Sequence, residues 1–176
     1  RLSIIIPVLN EAERLPGLLG YLVSHCDSEV IVADGGSKDD SQQVALRSGT
    51  RVIQSERGRA RQMNAGAAVA QGDILLFLHA DTMLPTSADR LIENAIRRSG
   101  RNSEYAWGRF DVCIAGRPFM LRVVASLMNW RSRLTGIATG DQAMFVARHA
   151  FESVGGFPDQ PLMEDVELSK RLCALS

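Results

Sequence analysis

Acidic side chains follow several apolar segments of this chain, and carboxylates at such places can bind metal ions, hydrogen-bond to ligands or move protons. Glu11, Asp34 and Asp81 each follow an apolar run, and the pair Glu164 and Asp165 opens a helical pattern near the end. Each acid alone fits a cap or a turn, and the pair fits the field of a helix N-terminus. Three acids after successive strands are better explained as one site, because the carboxyl ends of such strands border one ligand crevice.

The chemistry expected of these acids depends on what they face. An acid beside a neutral hydroxyl group or a base edge makes charge-assisted hydrogen bonds, whereas an acid beside phosphates repels them unless a cation lies between. Mg²⁺ and Mn²⁺ prefer hard oxygen ligands and usually take one or two carboxylates together with substrate phosphates. We therefore predict Asp81 as the metal ligand. Arg57, Arg59 and Arg61 open an Ala-rich helix, where guanidinium groups and a helix N-terminus favour phosphate; a solvated surface is the alternative.

Buried strands must position these side chains. Residues 74–78 are five consecutive large apolar residues that end three positions before Asp81, which indicates a strand buried on both faces. Further strands are predicted at 2–8, 29–33 and 51–53, with helical apolar spacing between them. This β-α alternation predicts a mainly parallel sheet with right-handed crossovers.

The second half of the chain has a different pattern. Helices are predicted at 87–99, 118–134, 150–154 and 164–175, a strand at 143–146, and a half-exposed strand at 105–114 where apolar and polar residues alternate. The helix from Pro118 to Leu134 is amphipathic and carries Arg122, Arg131 and Arg133.

Composition limits the class of protein. The 176 residues suit one domain, 45% of them are hydrophobic, and 20 basic residues balance 20 acidic ones. A nucleic-acid partner is therefore not expected. The three cysteines lie far apart without metal-ligand spacing, which favours reduced thiols and the cytosol. No apolar run approaches the roughly 18 residues of a transmembrane helix. The helical pattern continues to the last residues, so we expect truncation at the C-terminus.

Several short motifs together resemble the family 2 glycosyltransferases of the GT-A fold, over nearly the whole chain. They are the opening strand and loop (residues 6–11), the "DGxS" nucleotide element (34–37), the approach to the DxD metal motif (64–66 and 70–81), and the acceptor loop with the "ED" motif (154–157 and 164–168). The resemblance implies an α/β, Rossmann-like three-layer sandwich. The segments HADT, GDQAMF and PLMEDVELSKRL also resemble one bacterial subgroup often found beside radical-SAM or selenium-related genes.

The resemblance implies transfer of a sugar from a nucleotide-diphospho-sugar donor to an acceptor hydroxyl group, with inversion and with Mn²⁺ or Mg²⁺ as cofactor. In a single domain over 1–176, residues 1–81 would bind the donor and residues 82–176 the acceptor. Asp165 would be the general base and Asp81 the metal ligand. The acceptor side is assigned Glu164, Asp141 and Arg109. Nucleotide-sugar binding is assigned to Pro7, Asn10, Glu11, Asp34, Gly35, Arg57, Arg61 and His79.

This chain departs from the family pattern at identifiable positions. His79 stands at the first Asp of the DxD motif, so one nucleotide contact is expected to change. Met63 stands where many members carry an arginine, and we expect Arg59 or Arg61 to substitute for it. The QxxRW motif of processive relatives is absent.

Two other functions compete with this interpretation. A sugar-phosphate nucleotidyltransferase would need a Gly-rich loop with Arg and Lys after the first strand, where residues 7–11 read PVLNE. A non-catalytic nucleotide-sensing or membrane-docking module is the other alternative. The arginine-bearing helix either lies on an anionic membrane or packs over the acceptor site, so the expected location is the cytoplasm or the inner membrane face. The donor sugar, the acceptor (a saccharide, lipid or small molecule) and the oligomeric state stay open.

Overall fold

The fold is built on one six-stranded, mostly parallel sheet. The computed structural model describes residues 1–114, 116, 119–160 and 162–175. The strands are β1 (Leu2–Val8), β2 (Glu29–Asp34), β3 (Arg51–Gln54), β4 (Ile74–Phe77), β5 (Trp107–Gly108) and β6 (Met144–Ala147). Their order across the sheet is β3-β2-β1-β4-β6-β5. The first four strands run parallel, while β6 is antiparallel to both β4 and β5. The predicted mainly parallel sheet is confirmed.

Helices cover both faces of this sheet and make three layers. They are α1 (Leu15–His25), α2 (Ser41–Arg47), α3 (Arg59–Val69), α4 (Ala88–Arg98), α5 (Phe119–Thr135), α6 (Arg148–Ser153) and α7 (Glu164–Leu175). Successive side chains of a strand point to opposite faces. Ile4 and Ile6 of β1 accordingly pack in a cluster with α1, α2 and α4, and Ile5 packs in a second cluster with α3, α6 and α7. The central strands are buried on both faces, as their unbroken apolar runs predict.

A buried glutamine fastens the carboxyl ends of the two strands that carry the first loops. Gln62 of α3 donates from Nε2 to the carbonyl oxygens of Val8 at 2.7 Å and Ala33 at 2.8 Å. Gly35 lies against it, because a Cβ there would come within 2.9 Å of the Gln62 side chain. The tips of β1 and β2 are thus held at a defined distance from α3.

The predicted strand over 105–114 is mostly wrong. Only Trp107 and Gly108 pair with β6, and Tyr105 ends a 3₁₀ helix that begins at Gly100. Beyond Gly108 the chain turns towards α5, where Asn129 accepts from the Val112 N–H at 2.8 Å and donates to its carbonyl at 3.0 Å. One side chain of α5 thus supplies the two hydrogen bonds that a neighbouring strand would otherwise have made.

The predicted helix over 118–134 is observed from Phe119 to Thr135. Pro118 lies outside the described residues, as does Pro161 of the segment before Glu164. None of the helices in the described part of the chain is both long enough and apolar enough to cross a bilayer.

Candidate active site

A cavity of about 300 Å³ opens at the carboxyl ends of β1 and β4. Three segments contribute side chains to it: the loop after β1, the N-terminus of α3 and the loop after β4. Those of the predicted site residues that line it are Pro7, Glu11, Arg57, His79 and Asp81, together with Arg59. The structure therefore brings residues far apart in sequence to the end of the sheet where parallel-sheet proteins bind ligands.

Asn10 and Glu11 have different environments in the loop after β1. Asn10 adopts a left-handed backbone conformation with φ of 57°. Its N–H donates to Ser37 Oγ at 2.9 Å, and its Oδ1 accepts from the Lys38 N–H at 2.8 Å. Asn10 thus joins the loops after β1 and β2. Glu11 borders the cavity and accepts from Arg14 Nη1 at 2.6 Å.

Asp34 lies fully buried at the end of β2 and is not among the residues that line this cavity. Its Oδ2 accepts from the N–H groups of Gly36 and Ser37, both at 3.0 Å, and from Gln42 Nε2 at 2.7 Å. Burial raises the pKa of Asp34, but the hydrogen bonds from Ser37, Gln42 and Gly36 outweigh burial and hold that pKa below its ordinary value. No donor among the described residues reaches its buried Oδ1, so only one of its two oxygens shapes the loop.

The two arginines expected to substitute at the Met63 position point in different directions. Arg59 lines the cavity, and its Nη1 lies 3.6 Å from Oε1 of Glu164. Arg61 is exposed and pairs elsewhere, with Nη2 at 2.8 Å from Asp159 Oδ2 and Nη1 at 2.6 Å from Glu56 Oε2. Arg59 is therefore the one placed to meet a phosphate in this cavity.

Asp81 is exposed at the rim and is shared by two neighbouring cavities, the one of about 300 Å³ and another of about 720 Å³. Its carboxylate is a hard oxygen donor of the type that Mg²⁺ and Mn²⁺ prefer. Within the described ranges, no three His, Cys, Asp or Glu side chains lie close enough to hold a metal ion by themselves. The donor set fits a cation that takes its remaining ligands from the phosphates of a bound nucleotide.

His79 lines the cavity of about 300 Å³ with a largely buried imidazole. Burial lowers its pKa most, and the positive charge of Arg59 lowers it further, against the opposing effect of Asp141 and other nearby carboxylates. Its Nδ1 lies 3.9 Å from Oδ1 of Asp141. Gly140 packs on the ring so closely that an added Cβ would collide with it. His79 is therefore a neutral, fixed side chain and does not add the negative charge of an aspartate.

The larger cavity lies on the side predicted to bind the acceptor. It is lined by residues 81–85, 110–114 and 141–143 and by Met128 of α5. Asp141 thus borders it directly. Arg109 supports the wall, since its Nη1 lies 2.7 Å from Asp111 Oδ1 and its Nη2 donates to the Asn129 carbonyl at 3.2 Å.

The acids that begin α7 border a third, small cavity of about 10 Å³. Glu164 is buried and Asp165 is partly buried. Asp165 accepts from the N–H of Gly140 and, at 2.8 Å, from that of Val166. Their separation of about 100° around the helix predicts that only one faces the site, yet both line this cavity. The cavity lies at the end of the helix, where both side chains reach it.

Sequence reasoning missed Gln62 and the packing role of Gly140. The signal for Gln62 was a polar residue within the otherwise Ala-rich inner face of α3, since Ala60, Met63 and Ala67 are buried beside it. The contact between Gly140 and His79 joins segments about 60 residues apart, so no local pattern indicates it.

The sequence of this chain is similar to known glycosyltransferases. Residues 3–154 match the sequence model of Glycosyl transferase family 2. The undecaprenyl-phosphate 4-deoxy-4-formamido-L-arabinose transferase of Aeromonas hydrophila is 32% identical over 61% of this chain and 39% of its own length. An uncharacterised glycosyltransferase of Mycobacterium tuberculosis is 29% identical over 74% of this chain and 59% of its own length. The chain thus spans only part of the relatives it matches.

Solved structures share the fold at low sequence identity. S. aureus TarS 1-349 in complex with UDP superposes with a TM-score of 0.75 at 18% identity, over 98% of this chain and 54% of that one. The glucosyl-3-phosphoglycerate synthase of M. tuberculosis, in complex with Mn²⁺, UDP and glucosyl-3-phosphoglycerate, gives a TM-score of 0.59 at 22% identity, over 95% of this chain and 62% of that one. The α/β GT-A architecture is shown by these superpositions. Because the family model matches most of the chain, this protein belongs to glycosyl transferase family 2.

Proposed function

We propose that this chain transfers a sugar from a nucleotide-diphospho-sugar to an acceptor hydroxyl group, with inversion and with a divalent cation. The observation that carries the proposal is the position of Asp81, which borders both the cavity of about 300 Å³ and the cavity of about 720 Å³. A transferase needs a donor and an acceptor to meet at one place, and Asp81 stands where these two spaces join.

Residues 1–81 form the donor half in this proposal. Glu11 and the free Oδ1 of Asp34 hold the nucleoside through hydrogen bonds, while Arg57 and Arg59 hold the diphosphate. Asp81 holds Mn²⁺ or Mg²⁺, which would neutralise charge on the diphosphate leaving group. The bound UDP and Mn²⁺ named for the neighbouring structures support a nucleotide donor and a metal.

Residues 82–176 form the acceptor half. Asp165 is the proposed general base, because a carboxylate on this side can take the proton of the attacking hydroxyl group as the new bond forms at the anomeric carbon. The backbone bonds from Gly140 and Val166 hold its carboxylate in place, and each oxygen keeps a further lone pair for the acceptor. His79 contributes to the shape of the donor cavity, which its imidazole lines.

The proposed acceptor is carried by a membrane. The name of the Aeromonas relative includes undecaprenyl phosphate, a lipid, and α5, a wall of the larger cavity, presents an apolar outer face. This outer face consists of Met120, Val124, Leu127, Trp130 and Leu134, which are 42% to 66% exposed. They recur at helical spacing opposite the buried Ala125 and Ser132.

The charge on α5 favours an anionic bilayer over a protein surface as the partner of this face. The helix carries Arg122, Arg131 and Arg133 and no acidic residue. Among the described residues, Arg133 is the one of these three that forms an ion pair, with Asp111. An apolar face beside arginines is the pattern of helices that lie in the membrane interface. We propose that the protein works at the cytoplasmic face of the inner membrane. Membership of the radical-SAM-associated subgroup stays a prediction.

A screen of nucleotide-sugar donors tests the function. Calorimetry of UDP, GDP and dTDP, each with and without Mn²⁺, identifies the base, and release of nucleoside diphosphate from the matching sugar donor reports transfer. Formation of a nucleotide-sugar from a sugar phosphate and a nucleoside triphosphate would favour the nucleotidyltransferase instead. Tight nucleotide binding without turnover on any lipid, saccharide or small-molecule acceptor would favour a non-catalytic module.

A further inference from the structure

Glu164 is a buried carboxylate with an oxygen that the protein leaves without a hydrogen bond. Its side chain is 3% exposed, and no donor in the described part of the chain reaches its Oε1 within hydrogen-bonding distance. Buried acceptors almost always have a partner, and a charged one without a partner is costly. A buried carboxylate oxygen without a partner indicates that a ligand supplies the missing hydrogen-bond donor.

The neighbouring arginine forms an ion pair with Glu164 but no hydrogen bond to this oxygen. Arg59 Nη1 lies 3.6 Å from Oε1, which is close enough for an ion pair and too long for a hydrogen bond. Arg59 also lines the cavity of about 300 Å³ proposed for the donor. Arg59 therefore connects the donor cavity with Glu164, which borders the small cavity.

The small cavity beside Glu164 has the size and the surface for one hydroxyl group. Its volume of about 10 Å³ is near the lower limit for a single water-sized group. Its walls are mostly apolar side chains, including Met63, Phe77 and Phe157. Asp165 also borders it, and each of its oxygens already accepts one backbone N–H group. Oε1 of Glu164 is the carboxylate oxygen at this cavity that has no hydrogen-bond partner in the described part of the chain. An apolar wall beside such an acceptor suits a hydroxyl group on a carbon ring.

We propose that this cavity receives one hydroxyl group of the donor sugar, and that Oε1 of Glu164 accepts its hydrogen bond and so selects the sugar. His79 lines both this cavity and the donor cavity, so a sugar attached to a diphosphate at Asp81 and Arg59 has a short path to Glu164. This inference rests on the proposed function and moves Glu164 from the acceptor side to the donor side.

Calorimetry on matched ligand pairs tests the inference. The pairs are UDP with UDP-glucose, GDP with GDP-mannose, and dTDP with dTDP-glucose, and the pair that binds the wild type is used. We expect Glu164→Gln to weaken binding of the sugar nucleotide about ten- to hundred-fold, the value of a hydrogen bond to a charged group, and to leave the nucleoside diphosphate nearly unchanged. Glu167→Gln is the matched control, because Glu167 carries the same charge on the same helix and pairs with Arg171 on the surface.

A second measurement does not depend on the stability of the variant. Wild-type protein is titrated with monodeoxy analogues of the preferred sugar nucleotide. Removal of one particular hydroxyl group should lower the affinity by the same factor as Glu164→Gln does. The Glu164→Gln variant should bind that analogue and the parent sugar nucleotide with equal affinity. Equal loss of diphosphate and sugar-nucleotide affinity in Glu164→Gln, or no sensitive deoxy position, would overturn the inference and leave the proposed function standing. Failure of the wild type to bind any nucleotide would overturn the proposed function itself.

Discussion

Arg61 and Asp159 form a two-pronged ion pair at the surface beside α3. Nε of Arg61 lies 2.9 Å from Oδ1 of Asp159, and its Nη2 lies 2.8 Å from Oδ2. The sequence position of Arg61 made its guanidinium a candidate for phosphate binding, but in the structure this guanidinium binds Asp159. Arg59, two residues earlier, extends into the cavity instead.

The first prediction separates these two arginines. Arg59→Ala should weaken nucleoside diphosphate binding by at least about tenfold, because a charge-assisted hydrogen bond to phosphate is lost. Arg61→Ala should leave that affinity unchanged, because its partners are Asp159 and Glu56. Calorimetry with the diphosphate that binds the wild type measures both. Equal losses in the two variants would show that Arg61 leaves Asp159 when the ligand binds.

Asp81→Ala should abolish the metal-dependent part of nucleoside diphosphate affinity. The carboxylate would otherwise repel the diphosphate, so its contribution to binding requires a cation between them. The measurement compares wild type and variant in Mn²⁺ and in EDTA, with Asp73→Ala, an exposed acid at the other end of β4, as the control. The same affinity in all four combinations of protein and buffer would refute the metal role.

Asp34→Ala should weaken nucleoside monophosphate and diphosphate binding alike, because the proposed role of Asp34, at the end of β2, is to bind the nucleoside. A loss confined to the diphosphate would mean that Asp34 acts on the phosphates or the metal. Titrations with the two nucleotides, both in Mn²⁺ and in EDTA, separate these outcomes.

Asp34 should also make stability depend on pH in acid. Its pKa in the folded protein is lowered from an ordinary value of 3.8, so its contribution to stability is full above that value and is lost as the pH falls through the lower, folded pKa. Asp34→Asn should cost about 1 to 3 kcal/mol at neutral pH through the lost hydrogen bonds to a charged group. That difference from wild type should shrink below pH 4, as denaturant unfolding at several pH values would show. A constant difference down to pH 2 would contradict this.

Asp165→Asn should lower turnover by a factor of about 10² to 10⁴, the usual contribution of a general base, while donor affinity stays normal. The amide can still accept one of the backbone bonds from Gly140 and Val166, so the fold should survive. If Asp165 only caps α7, the variant would instead lose about 1 kcal/mol of stability and keep near-normal turnover. Turnover and melting temperature of the same preparation distinguish these roles.

The outer face of α5 should bind anionic vesicles. The protein should float with phosphatidylglycerol vesicles and should not float with phosphatidylcholine vesicles, which carry no net negative charge. High salt should reduce its flotation with phosphatidylglycerol vesicles, because salt screens the attraction between the arginines and the lipid. Leu127→Gln should reduce flotation, whereas Leu46→Gln, on α2 and similarly exposed at 62%, should not. A blue shift of Trp130 fluorescence should accompany binding. Equal binding to both lipids, or a change of oligomeric state in Leu127→Gln, would point to another partner for this face.

Local patterns in the sequence determined the elements and their order. The largely apolar segments at residues 2–8 and 74–78 are typical of strands buried between two layers of helices, and β-α alternation then favours a mainly parallel sheet. Because parallel strands end at one edge, these patterns also predict that Glu11 and Asp81 lie at one site. The short motifs also indicate the family, because they occur along the chain in the order that is typical of that family.

Tertiary packing decided which side chains face the site. Arg59 and Arg61 are about 200° apart around one helix, and only the packing of α3 on β1 and β2 decides which of them points inward. Likewise, the alternation over 105–114 is typical of a strand, but Asn129 from α5 satisfies the Val112 backbone instead. Whether Glu164 Oε1 has a hydrogen-bond partner also depends on the position of Arg59, which lies about a hundred residues earlier in the chain. Periodicity reports the neighbours a residue has along its own element, whereas these outcomes depend on contacts between distant elements.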